Sequence, residues 1–137
     1  MRLRMGEDPR AMGDAAGFRI GLRSFVAAVA LAEAFEAVGV ARSAISLKWP
    51  NDVLLYDCKA AGILLESAGQ AGRLSHLANL AAAPDPGLIE QGGTLPISLA
   101  EVLGRPLGRE DMLLALARAY AGRVKPQASE GCDDAVP

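Results

Sequence analysis

Aromatic residues are scarce in this chain, at 4 % of 137 residues, so its core cannot be built from stacked rings. Leu, Val, Ile and Ala must fill the interior instead, and alanine supplies much of the 51 % hydrophobic content. A surplus of charge of one sign is also lacking. With a net charge of −2 and a sequence pI of about 5.4, no basic field marks the chain for nucleic acid or for an anionic membrane surface. The two cysteines, Cys58 and Cys132, make neither a disulfide framework nor a metal-ligand cluster, and a reduced intracellular setting follows. His76 is the sole histidine, so a catalytic triad or a histidine metal site would lack its partners. The apolar run from Phe25 to Val40 is interrupted by Glu33 and Glu36 and does not read as a membrane span. Met1 to Asp8 lacks signal-peptide form, and no glycine-rich loop of Walker or Rossmann type occurs. A soluble, cytoplasmic protein with one small core is expected, with no metal site of its own.

What is present is ordered pattern. Met1 to Gly21 mixes Gly, Pro, Asp and Arg without a sustained period, and an irregular segment is expected over 1–21. Leu22, Phe25, Val26, Val29, Ala30, Ala34 and Val38 then recur at three- and four-residue steps, which predicts a helix ended by Gly39 with its charges on a solvated face. Residues 44–49, 52–56 and 60–66 read as three short strands joined by tight turns, with Gly62 marking a bulge or a close backbone approach. Connections this short require antiparallel neighbours, hence a β-meander. Gly69 to Gly72 is a turn signal, and Arg73 to Leu80 fits a strand and a short helix equally well. Ser98 to Leu103 fits a short capped helix before Gly104. Arg109 to Val124 predicts a second long helix with Met112, Leu113, Leu116, Ala117 and Tyr120 as its buried stripe. The fold class is α/β (α+β), a mixed and largely antiparallel sheet packed by two long helices over residues 22–124, followed by a polar tail over 125–137.

The residues that carry chemistry lie within the meander. Taken alone, Trp49-Pro50-Asn51-Asp52 is a turn, and Lys48 is a solvated cation. Their combination is more specific. Lys48 and Asp52 flank the turn, Lys59 sits on the next connection, and Gly62-Ile63 opens the third strand. Two cations, a carboxylate, an amide and a bare backbone thus gather at one end of a small sheet. Such a group can hold a carboxylate and an α-phosphate together while charge builds between them.

This run resembles the biotin protein ligase family. The family carries Lys-Trp-Pro-Asn-Asp, then a Lys seven residues after the Asp, then Ala-Gly-Ile-Leu and a Glu. Here the series is Lys48-Trp49-Pro50-Asn51-Asp52, Lys59, Ala61-Gly62-Ile63-Leu64 and Glu66, without a gap. The helix beginning Leu22-Arg23-Ser24-Phe25-Val26 and the later Asn79-Leu80 with Pro84 are similar to the same family, so the resemblance spans roughly Leu22 to Tyr120. It implies a biotin/lipoate ligase-like fold and activation of the biotin carboxylate by ATP with Mg²⁺ as counter-ion. Transfer of biotin to a lysine on the biotin carboxyl carrier domain of a carboxylase would follow. By the same resemblance Lys59 and Asp52 are catalytic, while Asn51, Gly62, Ile63 and Asn79 bind substrate or nucleotide. Trp49 and Pro50 serve packing and turn geometry.

Three departures from the family pattern qualify what is implied. Arg2, Arg4 and Arg10 do not reproduce the family's N-terminal Arg/Gly-rich loop, so an N-terminally incomplete domain is expected. Leu77-Ala78-Asn79-Leu80 keeps the Asn of a Gly-Ile-Gly-Val-Asn strand and loses its glycines. A counterpart of the small C-terminal barrel of larger members is not expected here. An inactive remnant that binds without turnover, or a lipoate ligase relative, are the alternatives, and the Trp-Pro-Asn-Asp segment favours biotin over lipoate.

Overall fold

The first long helix, α1, spans Ala15–Ala37 and is built for close approach. A computed structural model describes residues 1–4, 15–68 and 71–123. Ala27, Ala28, Ala30, Ala32 and Ala34 are buried, with Leu31 and Phe35 among them. Alanine favours helix and adds no bulk, so the α1 backbone settles directly onto its neighbours. The expected apolar face is partly displaced as a result. Leu22 is half exposed, and Phe25, Val29 and Val38 only flank the core. Ala30 and Ala34 of the expected face are buried, and Ser24, Ala27, Ala28, Leu31 and Phe35 join them. At the C-terminal end Gly39 adopts φ +114°, Val40 N–H donates to Phe35 O and Gly39 N–H to Glu36 O. That pair of bonds is a Schellman stop.

The N-terminal segment is more regular than expected. A short strand, β1 (Arg2–Arg4), opens the chain, and α1 starts at Ala15, well inside the span read as irregular. Gly17 and Gly21 suggested breakers there, but a single helical glycine costs only about 1 kcal/mol.

The meander forms as β2 (Ile45–Lys48), β3 (Asp52–Leu55) and β4 (Cys58–Ala68). The ambiguous stretch after it is a strand, β5 (Ala71–Ala78), and not a helix. The sheet runs in order β1-β2-β3-β4-β5, with β1 parallel to β2 and the other neighbours antiparallel. Its mixed character is as expected. Positions 71 and 72 belong to β5, where a turn was read, and 69–70 lie outside the described residues.

Cross-strand register sorts the two faces. Leu47, Val53, Ala61 and Ala78 oppose one another in one row, and this row faces the core. Two further helices follow, α2 (Leu99–Leu103) and α3 (Arg109–Ala121). A Ser98/Glu101 capping box starts α2, and Gly104 ends it in the left-handed region. Hydrogen bonds from Ser98 hold the Glu101 carboxyl below its usual range. In α3, Met112 is buried and Leu116 and Tyr120 pack on the core, but Leu113 is 67 % exposed and Ala117 is exposed. The true stripe takes Ala115 in their place, because α3 touches its neighbours along one narrow line. Glu33, expected in solvent, pairs with Arg123 just beyond α3, with Arg123 Nε 3.0 Å from Glu33 Oε2. Val124 and the tail lie outside the described residues. Among the described residues no helix is long and apolar enough to cross a membrane.

Candidate functional site

The opposite face of the sheet carries a second row. Lys48, Asp52, Gly62 and Leu77 are successive cross-strand partners from β2 to β5, so all four share the face turned away from α1. Lys59 joins them through an irregularity. Val53 pairs with Ala61, but Leu54 pairs with Lys59, so Ala60 is an extra residue in β4. In an unbroken ladder Lys59 would sit opposite Leu55, which is fully buried in the core. The bulge turns Lys59 onto the face of Leu54 and Asp52. Of the two expectations at Gly62, the bulge lies at Ala60 instead, while Gly62 does meet a close approach, that of the Lys59 and Asp52 side chains.

The Lys59 ammonium lies 2.7 Å from Asp52 Oδ1. That oxygen is buried, and the contact is a charge pairing without the alignment of a full hydrogen bond. The Asp52 side chain is 16 % exposed and that of Lys59 44 %, so one end of the pair is anchored and the other opens to solvent. A pair this exposed contributes about 1 kcal/mol or less to stability. Its consequence is orientation. Gly62 explains how the pair lies flat: a Cβ there would stand 3.5 Å from Lys59 Cε and 3.6 Å from Asp52 Oδ1.

A cleft of about 470 Å³ opens above this row, and Lys48, Asp52, Lys59, Gly62, Leu77 and Asn79 line it. Its far wall is the segment from Pro84 to Pro96, contributing Ile89, Glu90 and Thr94. Lys48 Nζ donates to Thr94 Oγ1 at 3.2 Å, so among the described residues its partner is a neutral hydroxyl and not a carboxylate. Lys48 is thus a cleft cation, where the sequence left open a merely solvated one. The cleft lining combines two ammonium groups and two carboxylates with apolar surface from Leu77, Ile89 and the prolines, a mixture common in small-molecule sites.

Of the three other residues expected to meet ligand, Asn79 lines the cleft, and the hydrogen bonds of Asn51, Ile63 and Asn79 run to the backbone. Asn51 Nδ2 donates to Ile63 O at 3.0 Å, while Ile63 N–H donates to Asn51 O at 2.8 Å. This reciprocal pair ties the β2–β3 turn to β4. The Ile63 side chain is buried in the core, so neither it nor its N–H is offered to the cleft. Asn79 Nδ2 donates to Lys59 O at 3.3 Å and to Ile97 O at 3.2 Å. Trp49 packs on Phe25 of α1 with ring centroids 6.2 Å apart, and the Trp49–Pro50 peptide is cis, in keeping with a turn and packing role. Cys58 is a free thiol on the helix side of β4, and Cys132 lies outside the described residues. Among the described residues no group of three or more His, Cys, Asp and Glu is placed to hold a metal. Thr94, Glu90 and the 95–97 segment were not found by sequence, because a proline-punctuated loop carries no periodic signal.

No family model matches the chain. A curated biotin–[acetyl-CoA-carboxylase] ligase of Paracoccus denitrificans is 44 % identical over 106 residues, covering 72 % of this chain and 43 % of the relative. The chain is a homologue of the biotin protein ligases. It spans less than half the length of the relative it matches. Solved biotin protein ligases share its fold. The Aquifex aeolicus enzyme superposes with a TM-score of 0.64 at 24 % identity, covering 75 % of this chain and 44 % of that one. The same enzyme in complex with biotin and ATP gives 0.60 at 23 %, covering 83 % and 45 %. The Leishmania major ligase with biotinyl-5-AMP gives 0.56 at 22 %, covering 70 % and 44 %. In this biotin ligase homologue Lys48, Asp52, Lys59 and Gly62, all from the Lys48–Glu66 run, line the cleft.

Proposed function

We propose that the chain carries the carboxylate-activating site of an ATP-dependent biotin–protein ligase acting in the cytoplasm. The observation that carries this reading is the Lys59–Asp52 pair, turned by a bulge onto a glycine-floored cleft beside a second ammonium, Lys48. Activation joins a biotin carboxylate oxygen to the α-phosphorus of ATP and breaks its bond to pyrophosphate. Negative charge accumulates where the two anions meet, and a positioned ammonium lowers that barrier. Lys59 supplies the ammonium, and Asp52 keeps it over the floor. Lys48 holds a second phosphate or carboxylate oxygen by exchanging its neutral Thr94 partner for an anion. Leu77 and Ile89 offer apolar surface to the body of biotin.

Magnesium would enter as the counter-ion of ATP. Asp52 and Glu90 are the carboxylates of the cleft, and one or two carboxylates with phosphate oxygens suit that ion. In the second half-reaction the amine of a carrier-domain lysine attacks the acyl carbon and expels AMP.

The test is biotin-dependent ATP–pyrophosphate exchange on the 137-residue protein at saturating biotin, beside its Lys59→Ala variant. Loss of about 10²-fold or more is expected from removing one preorganised charge donor. Exchange equal in both proteins would overturn the reading. Biotin binding by calorimetry without any exchange would instead favour a binding protein of the same fold, and exchange with lipoate alone a lipoate ligase.

A further inference from the structure

A β-bulge breaks the ladder and strands backbone groups that need other partners. The bulge at Ala60 is the feature that brings Lys59 into the cleft, and the Ala60 carbonyl and the Lys59 carbonyl and N–H are tied at one place. Ala60 O accepts from Asn79 N–H at 2.9 Å. Lys59 O accepts from Ile97 N–H at 3.0 Å and from Asn79 Nδ2 at 3.3 Å. Lys59 N–H donates to Leu95 O at 2.7 Å, which lays the 95–97 segment alongside Lys59 as a short parallel bridge. Asn79 Nδ2 also donates to Ile97 O at 3.2 Å, and Asn79 O accepts from Leu99 N–H at 2.8 Å. Asn79 bonds to Ala60, Lys59, Ile97 and Leu99, and its side-chain amide is the part backbone alone cannot replace.

We propose that Asn79 is a positioning residue for Lys59: its side-chain amide locks the Ala60 bulge to the 95–97 segment and thereby keeps the Lys59 ammonium on the cleft face beside Asp52. The importance of that ammonium rests on the ligase reading; the positioning itself does not. Without the amide, Lys59 O and Ile97 O each lose a donor, and the bulge is free to migrate along β4. Migration by one residue would turn Lys59 toward Leu55 and the core.

The experiment uses the full chain with isotope-labelled lysine, following the Lys59 side-chain signal by NMR and assigning it with Lys59→Arg. Asp52→Asn defines where that signal falls once the carboxylate is gone. Asn79→Ala is expected to move it to the same place while the backbone spectrum away from 58–61 and 95–99 is retained. Asn79→Ser keeps one donor on a shorter arm and should give a partial shift. An unmoved Lys59 signal in either folded variant overturns the proposal. Failure of both to fold also overturns it, since Asn79 would then be a general determinant of the fold. In the exchange assay kcat should fall about 10- to 10²-fold with KM for ATP unchanged, as expected for a displaced catalytic group. A raised KM with kcat retained would make Asn79 a nucleotide contact and reject the positioning role. Wild-type protein without biotin-dependent exchange would remove the ligase reading and leave the NMR result to decide the role of Asn79.

Discussion

Lys59 reaches Asp52 across the bare Cα of Gly62, with its ammonium 2.7 Å from Oδ1. A Cβ at position 62 would make only ordinary contacts of 3.5–3.6 Å with the pair, so the space is limited but not closed. Gly62→Ala should therefore fold, with stability within about 1 kcal/mol of the parent or slightly above it, since a strand glycine is replaced. Gly62→Val adds branches where the ammonium lies and should displace it. The expected outcome is graded exchange activity, reduced in Ala and about 10²-fold down in Val, with thermal midpoints nearly unchanged. Val with wild-type exchange would show that the pair need not lie on this floor.

His76 on β5 and Tyr120 on α3 face each other with the Tyr hydroxyl 2.9 Å from Nε2 and ring centroids 5.6 Å apart, edge to face. Burial lowers the His76 pKa and raises that of Tyr120. A histidine whose folded-state pKa lies below the unfolded value of about 6.5 adds stability that is fully present above 6.5. That stability is lost as pH falls through the folded pKa, because the unfolded chain takes up the proton first. Urea midpoints should thus decline on acidification below about pH 6.5, and His76→Phe should flatten that part of the curve. An equal decline in His76→Phe would assign the acid sensitivity to the carboxylates.

Much of the site was legible because its elements are local. Lys48 to Glu66 alternates and turns over short distances, and the antiparallel meander with Lys48, Asp52 and Gly62 on one face follows from a period of two. Position 59 was less legible. Strict alternation from Gly62 would place Lys59 on the core side, and the bulge at Ala60 that reverses this has no local sequence signal. Asn51 and Asn79 were read as ligand contacts because an amide near a cleft has the right chemistry. Nothing local says that Asn51 Nδ2 also donates to Ile63 O, or Asn79 Nδ2 to Lys59 O and Ile97 O. On α1 the period finds Ala30 and Ala34, while Ala27, Ala28 and Leu31 beside them are buried as well because small residues allow the closest approach. On α3, Leu113 and Ala117 were assigned to a broad stripe before the narrow line of contact was known.

Asn51 separates a structural clamp from a ligand contact. Its Nδ2 bond to Ile63 O and its carbonyl bond from Ile63 N–H fasten the Trp49–Asn51 turn to β4, one residue from Gly62. Asn51→Ala removes the side-chain donor and keeps the backbone bond, so about 1 kcal/mol of stability should be lost. For a domain of this size that lowers the midpoint by a few degrees. The loss should appear in the protein without any ligand. Asn51→Asp should be worse at neutral pH, because a carboxylate would face the Ile63 carbonyl, and should recover partly on acidification as the carboxyl gains a proton to donate. Differential scanning calorimetry of the three proteins across pH decides the matter. Were Asn51→Ala to melt with the parent yet bind ATP more weakly, the amide would be serving the nucleotide and the clamp would be incidental.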